Sequence, residues 1–286
     1  MTPSYFANRT IVLATMHCKE QVIAPILERE LGVKVVVPES FNTDIFGTFT
    51  RERDRPGNQL ETARIKAQNA LDLTGETLAI ASEGSFVPHP SLPSIPSNRE
   101  LVVLIDRIHN LEITGEELSL NTNFNHKIVK TFEEAQEFAQ KIGFPQHGLI
   151  VSLSSSTRDS STIVKGITTE AHFLTAVKTA LERSPNGTIH LETDMRALYN
   201  PTRMQVIQQA TQNLVKAVNQ TCPECGCPGM KVIERRRGLL CELCNLPTNL
   251  TRSLVYGCQK CQVRREVLFP DGMTTADPTY CGYCNP

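Results

Sequence analysis

Residues 58–86 read NQLETARIKAQNALDLTGETLAIASEGSF, and the fold of the chain turns on them. Asn58 follows Pro56-Gly57 and suits a helix cap. Leu60, Ala63, Ala67, Ala70 and Leu71 recur at helical spacing, and Gly75 stands just past the last turn. Thr77 to Ala81 is a short apolar run, the pattern of a buried strand, and Ser82-Glu83-Gly84-Ser85 follows as a small-residue loop at its C-terminal end. In open α/β sheets ligands bind at that end of the strands. Glu61 opens the helix and Glu83 follows the strand. If the two elements pack side by side, two carboxylates meet at one sheet edge, donors suited to Mg²⁺. The same letters allow a plainer reading, with Asn58-x-x-Glu61 as a capping box and Glu83 as an ordinary loop carboxylate.

On the N-terminal side, Ile11 to Ala14 reads as a strand covered on both faces, followed by the loop Thr15-Met16-His17-Cys18-Lys19. A helical stretch then runs to Leu31 with Gly32 as its stop, and Pro25 either delays its start or kinks it. Val33 to Val37 is a second strand, so the order β-α-β predicts parallel pairing and a right-handed crossover. Residues 40–57 form a polar loop carrying Arg51, Arg53 and Arg55.

On the C-terminal side, VPHPSLPSIPSN (87–98) holds four prolines and predicts a rigid, non-helical excursion. Strands are expected at 101–105, 148–153 and 188–191, and helices at 131–142, about 170–183 and from Asn200-Pro201 to about 218. The serine-rich run SLSSSTRDSSTIVKG (152–166) reads as flexible, with a weak phosphate-cradle signal. Glu192, Asp194, Arg196 and Arg203 form a second polar cluster, open to ligand binding or to plain ion-paired surface. The fold class expected is α/β, with a mostly parallel or mixed central sheet and flanking helices over residues 1–219, followed by a small zinc-ribbon region over 220–286.

The chain has 286 residues, 40% hydrophobic and 21% charged, with a formal net charge of -1. That balance suits one large or two modest globular domains and provides no global field toward nucleic acid or membrane. No apolar run approaches a membrane span and the N-terminus lacks a basic segment leading into one, so a cytoplasmic protein without membrane contact is expected. Of ten cysteines, nine lie between Cys222 and Cys284, and eight of these form four C-x-x-C pairs. Cys222/Cys225 and Cys241/Cys244 are separated by 15 residues, Cys258/Cys261 and Cys281/Cys284 by 19. Both spacings suit two structural four-thiolate Zn²⁺ ribbons, paired first in sequence order, with a crossed arrangement as the alternative. Residues 220–286 carry eight Lys or Arg against six Asp or Glu, with one basic knot, Glu234-Arg-Arg-Arg237, and no aromatic residue interleaved in it.

Three N-terminal segments resemble the inosine/xanthosine triphosphate pyrophosphatase superfamily, including its Maf-like branch: IVLATMHCK (11–19), ETARIKA (61–67) and AIASEGSF (79–86). The likeness covers about residues 9–107. It implies that Glu61 and Glu83 hold Mg²⁺ or orient water, and that Thr15, Lys19, Lys66 and Ser85 meet the phosphorylated substrate. Met16 departs from that pattern, as does Ser82 in the place of an acidic pair, and the cysteine tail is foreign to it. The whole chain resembles a bacterial family of unknown function. The leading expectation is therefore a Mg²⁺-dependent phosphohydrolase acting on a nucleotide or similar phosphorylated small molecule. The alternative is a non-catalytic protein whose zinc ribbons contact protein or nucleic acid while the α/β domain senses a ligand. Oligomeric state is not legible.

Overall fold

In chain order the protein runs β1 (Thr10–Ala14), α1 (Glu20–Leu31), β2 (Lys34–Val36), α2 (Gln59–Thr74), β3 (Leu78–His89), β4 (Leu92–Asp106), β5 (Leu111–Ser119), β6 (His126–Val129), α3 (Phe132–Ile142), β7 (Leu149–Ser152), β8 (Ile163–Ile167), α4 (Glu170–Arg183), β9 (Ile189–Thr193), α5 (Pro201–Asn219), β10 (Lys231–Arg237), β11 (Thr251–Gly257) and β12 (Arg264–Leu268). The computed structural model describes residues 5–39, 41–47, 54–154 and 159–286, so Arg51, Arg53 and residues 155–158 of the serine-rich run lie outside the described residues. Contacts divide the chain into two units, Phe6–Val215 and Lys216–Pro286, the latter joined by Tyr5.

The first unit holds two sheets. One has the order β2-β1-β3-β4-β5, parallel where β1 meets β2 and β3 and antiparallel beyond. The other, β6-β9-β7-β8, is antiparallel throughout. The central sheet is thus mixed. Helix α2 lies on the first sheet because its inward positions are small: Ala63, Ala67 and Ala70 pack with Val12, Ala79, Ala81 and Val103 in one buried cluster. Helices α3 and α4 cover the second sheet, where Phe138, Ala139, Phe173 and Val177 pack on Leu149, Val151 and Leu191. Among the described residues no helix is long and apolar enough to cross a membrane.

Helix α2 has the ends its letters imply. Asn58 accepts from the Glu61 N–H at 3.0 Å while Glu61 Oε2 accepts from the Asn58 N–H at 2.8 Å, and Gly75 closes the helix with φ of 72°. Asn58→Ala is expected to cost about 1 kcal/mol of stability in urea titration, the usual effect of losing such a cap. Pro25 sits inside a helix that starts at Glu20, which answers the question of a later start.

Strand β3 departs from expectation. Ser82-Glu83-Gly84-Ser85 is not a loop but the middle of the strand, paired antiparallel to Val102, Leu101, Glu100 and Arg99. The proline-rich excursion is likewise a hairpin, with Pro88 opposite Pro96. Prolines are tolerated there because β1 pairs with β3 only over Ala79–Ala81 and β5 pairs with β4 only from Asn98 onward, so the hairpin tip has open outer edges that need no ladder donor. Strands β5, β6 and β8 were not expected. Their letters carry no long apolar run, and β8 overlaps the end of the serine-rich segment.

In the second unit, β10, β11 and β12 form one antiparallel three-stranded sheet.

Candidate functional site

Strand β1 ends at Ala14 and the backbone turns at once. The His17 N–H donates to Thr15 Oγ1 at 3.3 Å, and Cys18 takes a left-handed φ of 57° before Lys19 leads into α1. This turn sets Thr15, His17 and Lys19 on the wall of a cleft within the first unit. Strand alternation brings the other wall together. Glu83 shares the parity of Ala79 and Ala81 and so faces α2, where Lys66 meets it; Ser82 takes the opposite parity and receives Lys19 Nζ on its Oγ at 2.9 Å. Arg55, Thr43 and Asp44 add to this side, while Ile150, Lys165, Asp194, Arg196 and Arg203 come from the second sheet and the chain after it. The enclosed space is about 40 Å³, room for a few waters or one small anionic group.

Six cations (Lys19, Arg55, Lys66, Lys165, Arg196, Arg203) face three carboxylates (Asp44, Glu83, Asp194); with Glu100, the buried partner of Arg203, counted as well, the formal surplus is two positive charges. Each carboxylate is engaged. Lys66 Nζ donates to Glu83 Oε1 at 2.5 Å and Arg55 Nη2 lies 3.5 Å from Oε2. Arg196 grips Asp194 through Nη2 at 2.6 Å, and Asp194 also accepts from the Gly166 N–H at 3.0 Å. His17 Nε2 is 3.1 Å from Asp44 Oδ1. Burial alone would raise the Glu83 carboxyl, but Lys66, Lys19 and Arg55 outweigh it and hold the group below its ordinary value. Lys19 goes the other way: burial first, then the charges of Arg203 and Lys66, push its ammonium down to about 7.

Asp194 and Arg203 are not the ion-paired surface that the sequence allowed. Arg203 is buried, its Nε donating to Glu100 Oε1 at 2.8 Å and its Nη1 to the Met195 carbonyl at 2.5 Å. A Cβ at Gly84 would lie 2.3 Å from Glu100 Oε1 and 2.5 Å from Arg203 Nη2, so a glycine there leaves room for the pair.

Thr15, Lys19, Lys66 and Glu83 line the cleft together. Glu61 and Ser85 do not: Glu61 is exposed and occupied with capping α2, and Ser85 is half-buried farther along β3. Glu61 thus stands outside the lining that Glu83 joins, and Glu83 already has two cationic partners. Arg55, His17, Asp44 and Lys165 were not singled out as site residues; Lys165 reaches the cleft only because β8 pairs with β7.

The second unit holds two cysteine tetrads, Cys222/Cys225/Cys258/Cys261 and Cys241/Cys244/Cys281/Cys284, with all sulfurs in each within 4.8 Å of one another. Sulfur pairs lie at 3.6 Å in the first and at 3.6 and 3.9 Å in the second. Tetrahedral zinc with bonds near 2.3 Å separates its sulfurs by about 3.8 Å, so both sets fit that ion. The pairing is crossed, which corrects the sequence-order pairing. The reason lies in the meander. Strand β10 carries the chain away from the first C-x-x-C turn to the second, β11 carries it back to the third, and β12 away again toward the fourth, so odd turns gather at one end of the sheet and even turns at the other. Cys227 is buried and belongs to neither set, its Sγ 3.5 Å from the Pro228 carbonyl, and Cys18 lies in the turn after β1.

No curated protein matches the chain. Protein VC0702 from Vibrio cholerae is similar at 8% identity, over 75% of this chain and 97% of that one, with a TM-score of 0.33. The pyrophosphatase likeness rests on the three N-terminal segments alone. Residues 66–286, which include Lys66, Glu83, the cleft residues of the second sheet and of the chain after it, and both tetrads, match the family described as a domain of unknown function (DUF6671), and the chain belongs to that family.

Proposed function

We propose that the cleft of the first unit binds a phosphorylated small molecule and hydrolyses it, and that a structural zinc ion fills each cysteine tetrad. The convergence of six cations on a cleft with three carboxylates carries the reading of the first unit. A phosphate is the common ligand that answers such a surplus, and Arg55, Lys66 and Arg196 are held by their own ion pairs in positions suited to stabilising charge on a transferring phosphoryl group. The small enclosed space suits the phosphate itself, with the rest of the ligand in the open mouth. Lys19, near 7, exchanges a proton at neutral pH and is the candidate acid-base group. A second reading, ligand sensing without turnover, is favoured by the bonds that already occupy all three cleft carboxylates: Glu83 and Asp194 are ion-paired, and Asp44 is hydrogen-bonded to His17.

The test is calorimetric titration with a panel of nucleotides and inorganic pyrophosphate, beside phosphate-release assays with and without Mg²⁺. Above pH 7 Lys19 is neutral in the unliganded protein, and an arriving phosphate favours its charged form. Binding is therefore expected to take up a proton and to weaken as pH rises through about 7, by up to about tenfold per unit. Lys19→Met removes the uptake, and Arg196→Met weakens binding at least about tenfold at any pH. Binding without phosphate release selects the sensor. If none of these probes binds, the phosphate reading of the cleft is wrong.

A further inference from the structure

The basic knot of the second unit lacks aromatic neighbours in sequence, but strand pairing supplies one. Tyr256 on β11 stands opposite Val232 on β10 and Arg265 on β12, and two residues along, Leu254 stands opposite Arg235 and Val267. Side chains opposite one another in an antiparallel sheet share a face, so Arg235, Arg265, Tyr256, Leu254, Val232 and Val267 share one. The alternate residues fall on the other face, where Arg236 pairs with Glu234 at 2.8 Å and Glu266 at 2.9 Å, and Ser253 Oγ donates to Glu266 at 2.5 Å. The register thus sorts the charges. Both glutamates of the strands are neutralised on one face, and the other presents arginines around a tyrosine with no strand carboxylate beside them.

On that second face Tyr256, Arg265, Val267, Met230 and Pro223 line an open groove of about 370 Å³, with Gln220 also on its wall. Arg235 and Arg265 are exposed, and Tyr256 is half-exposed between apolar neighbours. We infer that this face binds single-stranded nucleic acid, with a base stacked on Tyr256 and backbone phosphates on Arg265 and Arg235. A ring platform flanked by cations is what a single strand uses, since every base offers a π-face and every linkage a negative charge. With a chain net charge of -1, affinity has to come from this local field. The inference is independent of the cleft and of its ligand.

The experiment uses the full-length, zinc-loaded protein and a fluorescein-labelled 12-nucleotide single-stranded RNA, read by anisotropy from 50 to 200 mM salt. Its duplex form and polyglutamate serve as competitors. The expected result is salt-sensitive binding of the single strand. Tyr256→Ala weakens it about tenfold, and Arg265→Glu weakens it and flattens the slope of log affinity against log salt by about 0.7 or more. Arg236→Ala, on the opposite face, leaves affinity within about twofold. Zinc content before each titration confirms that a variant is folded; Arg265 is exposed, so its variant stands even if Tyr256→Ala loses metal. The inference is overturned by no binding at 50 mM salt, by equal competition from duplex or polyglutamate, or by Tyr256→Ala and Arg265→Glu both binding as the unaltered protein does.

Discussion

Replacing Cys222 and Cys258 together with serine is expected to remove one of two zinc ions per chain, whereas replacing Cys222 and Cys241 removes both. Crossed tetrads require this outcome, because Cys222 and Cys258 share one site and Cys241 belongs to the other. Pairing in sequence order would reverse the two results, so atomic emission and native mass spectrometry on the purified variants decide between them. The effect should be large. Structural zinc contributes on the order of 10 kcal/mol or more to the folding of small cysteine sites, and the sheet of the second unit is thin, with β10 exposed along its whole length. Chelation of both ions is therefore expected to open Lys216–Pro286 to proteolysis and hydrogen exchange while Phe6–Val215, which has its own two buried clusters, stays protected. Persistence of protected strands β10–β12 after complete zinc removal would contradict the structural role.

The second large effect falls on the buried pair of the first unit. Glu100→Gln keeps the shape of the side chain but leaves the Arg203 guanidinium, 1% exposed at its side chain, without its counter-charge. Breaking one side of such a pair costs about 3–5 kcal/mol, and urea unfolding of Glu100→Gln and of Arg203→Met is expected to show losses of that order. Because the pair as a whole has a large desolvation cost, Glu100→Leu combined with Arg203→Met should cost less than the sum of the single changes. A loss under about 1 kcal/mol for either single variant would show that water reaches the pair. Arg203 also lines the cleft, so the double variant separates two roles: part of the stability returns while one of the six cations stays lost.

How much of this was legible in the letters depended on whether the deciding interaction was local. Helix ends were readable because caps are contacts over three or four residues. Asn58, Thr131 and Thr169 each accept from a backbone N–H three residues on, and Gly32, Gly75 and Gly143 each take a left-handed turn. Strand β5 and the outer parts of β3 and β4, beyond 77–81 and 101–105, were not readable. Ser82-Glu83-Gly84-Ser85 has the composition of a loop, and only the partner strand β4, which supplies Leu101 and Glu100 opposite Glu83 and Gly84, makes it a strand. Of the cleft, Lys19, Lys66 and Glu83 were marked by a resemblance to short segments. Arg55 and Lys165 were not, since Arg55 is one of five consecutive charged residues (51–55) and Lys165 a single charge in β8 until the fold brings them to the same space. Glu61 shows the converse: its spacing from Asn58 fitted a cap as well as a metal, and its position at the helix start gave the carboxylate a nearer partner. The metal tetrads were legible as ligands but not as sets, because spacings of 15 and 19 residues fit either pairing and the choice rests on the path of three strands.

The crossing of the tetrads also sets how this part of the chain can be inherited. Two ribbons paired in sequence order would leave a seam between Cys244 and Cys258 where either could be gained, lost or exchanged as a module. Here every break point between Cys225 and Cys281 divides at least one ligand set. The two metal sites therefore travel through insertion, deletion and recombination as one indivisible segment, and a relative carrying only the first two C-x-x-C turns would possess neither site.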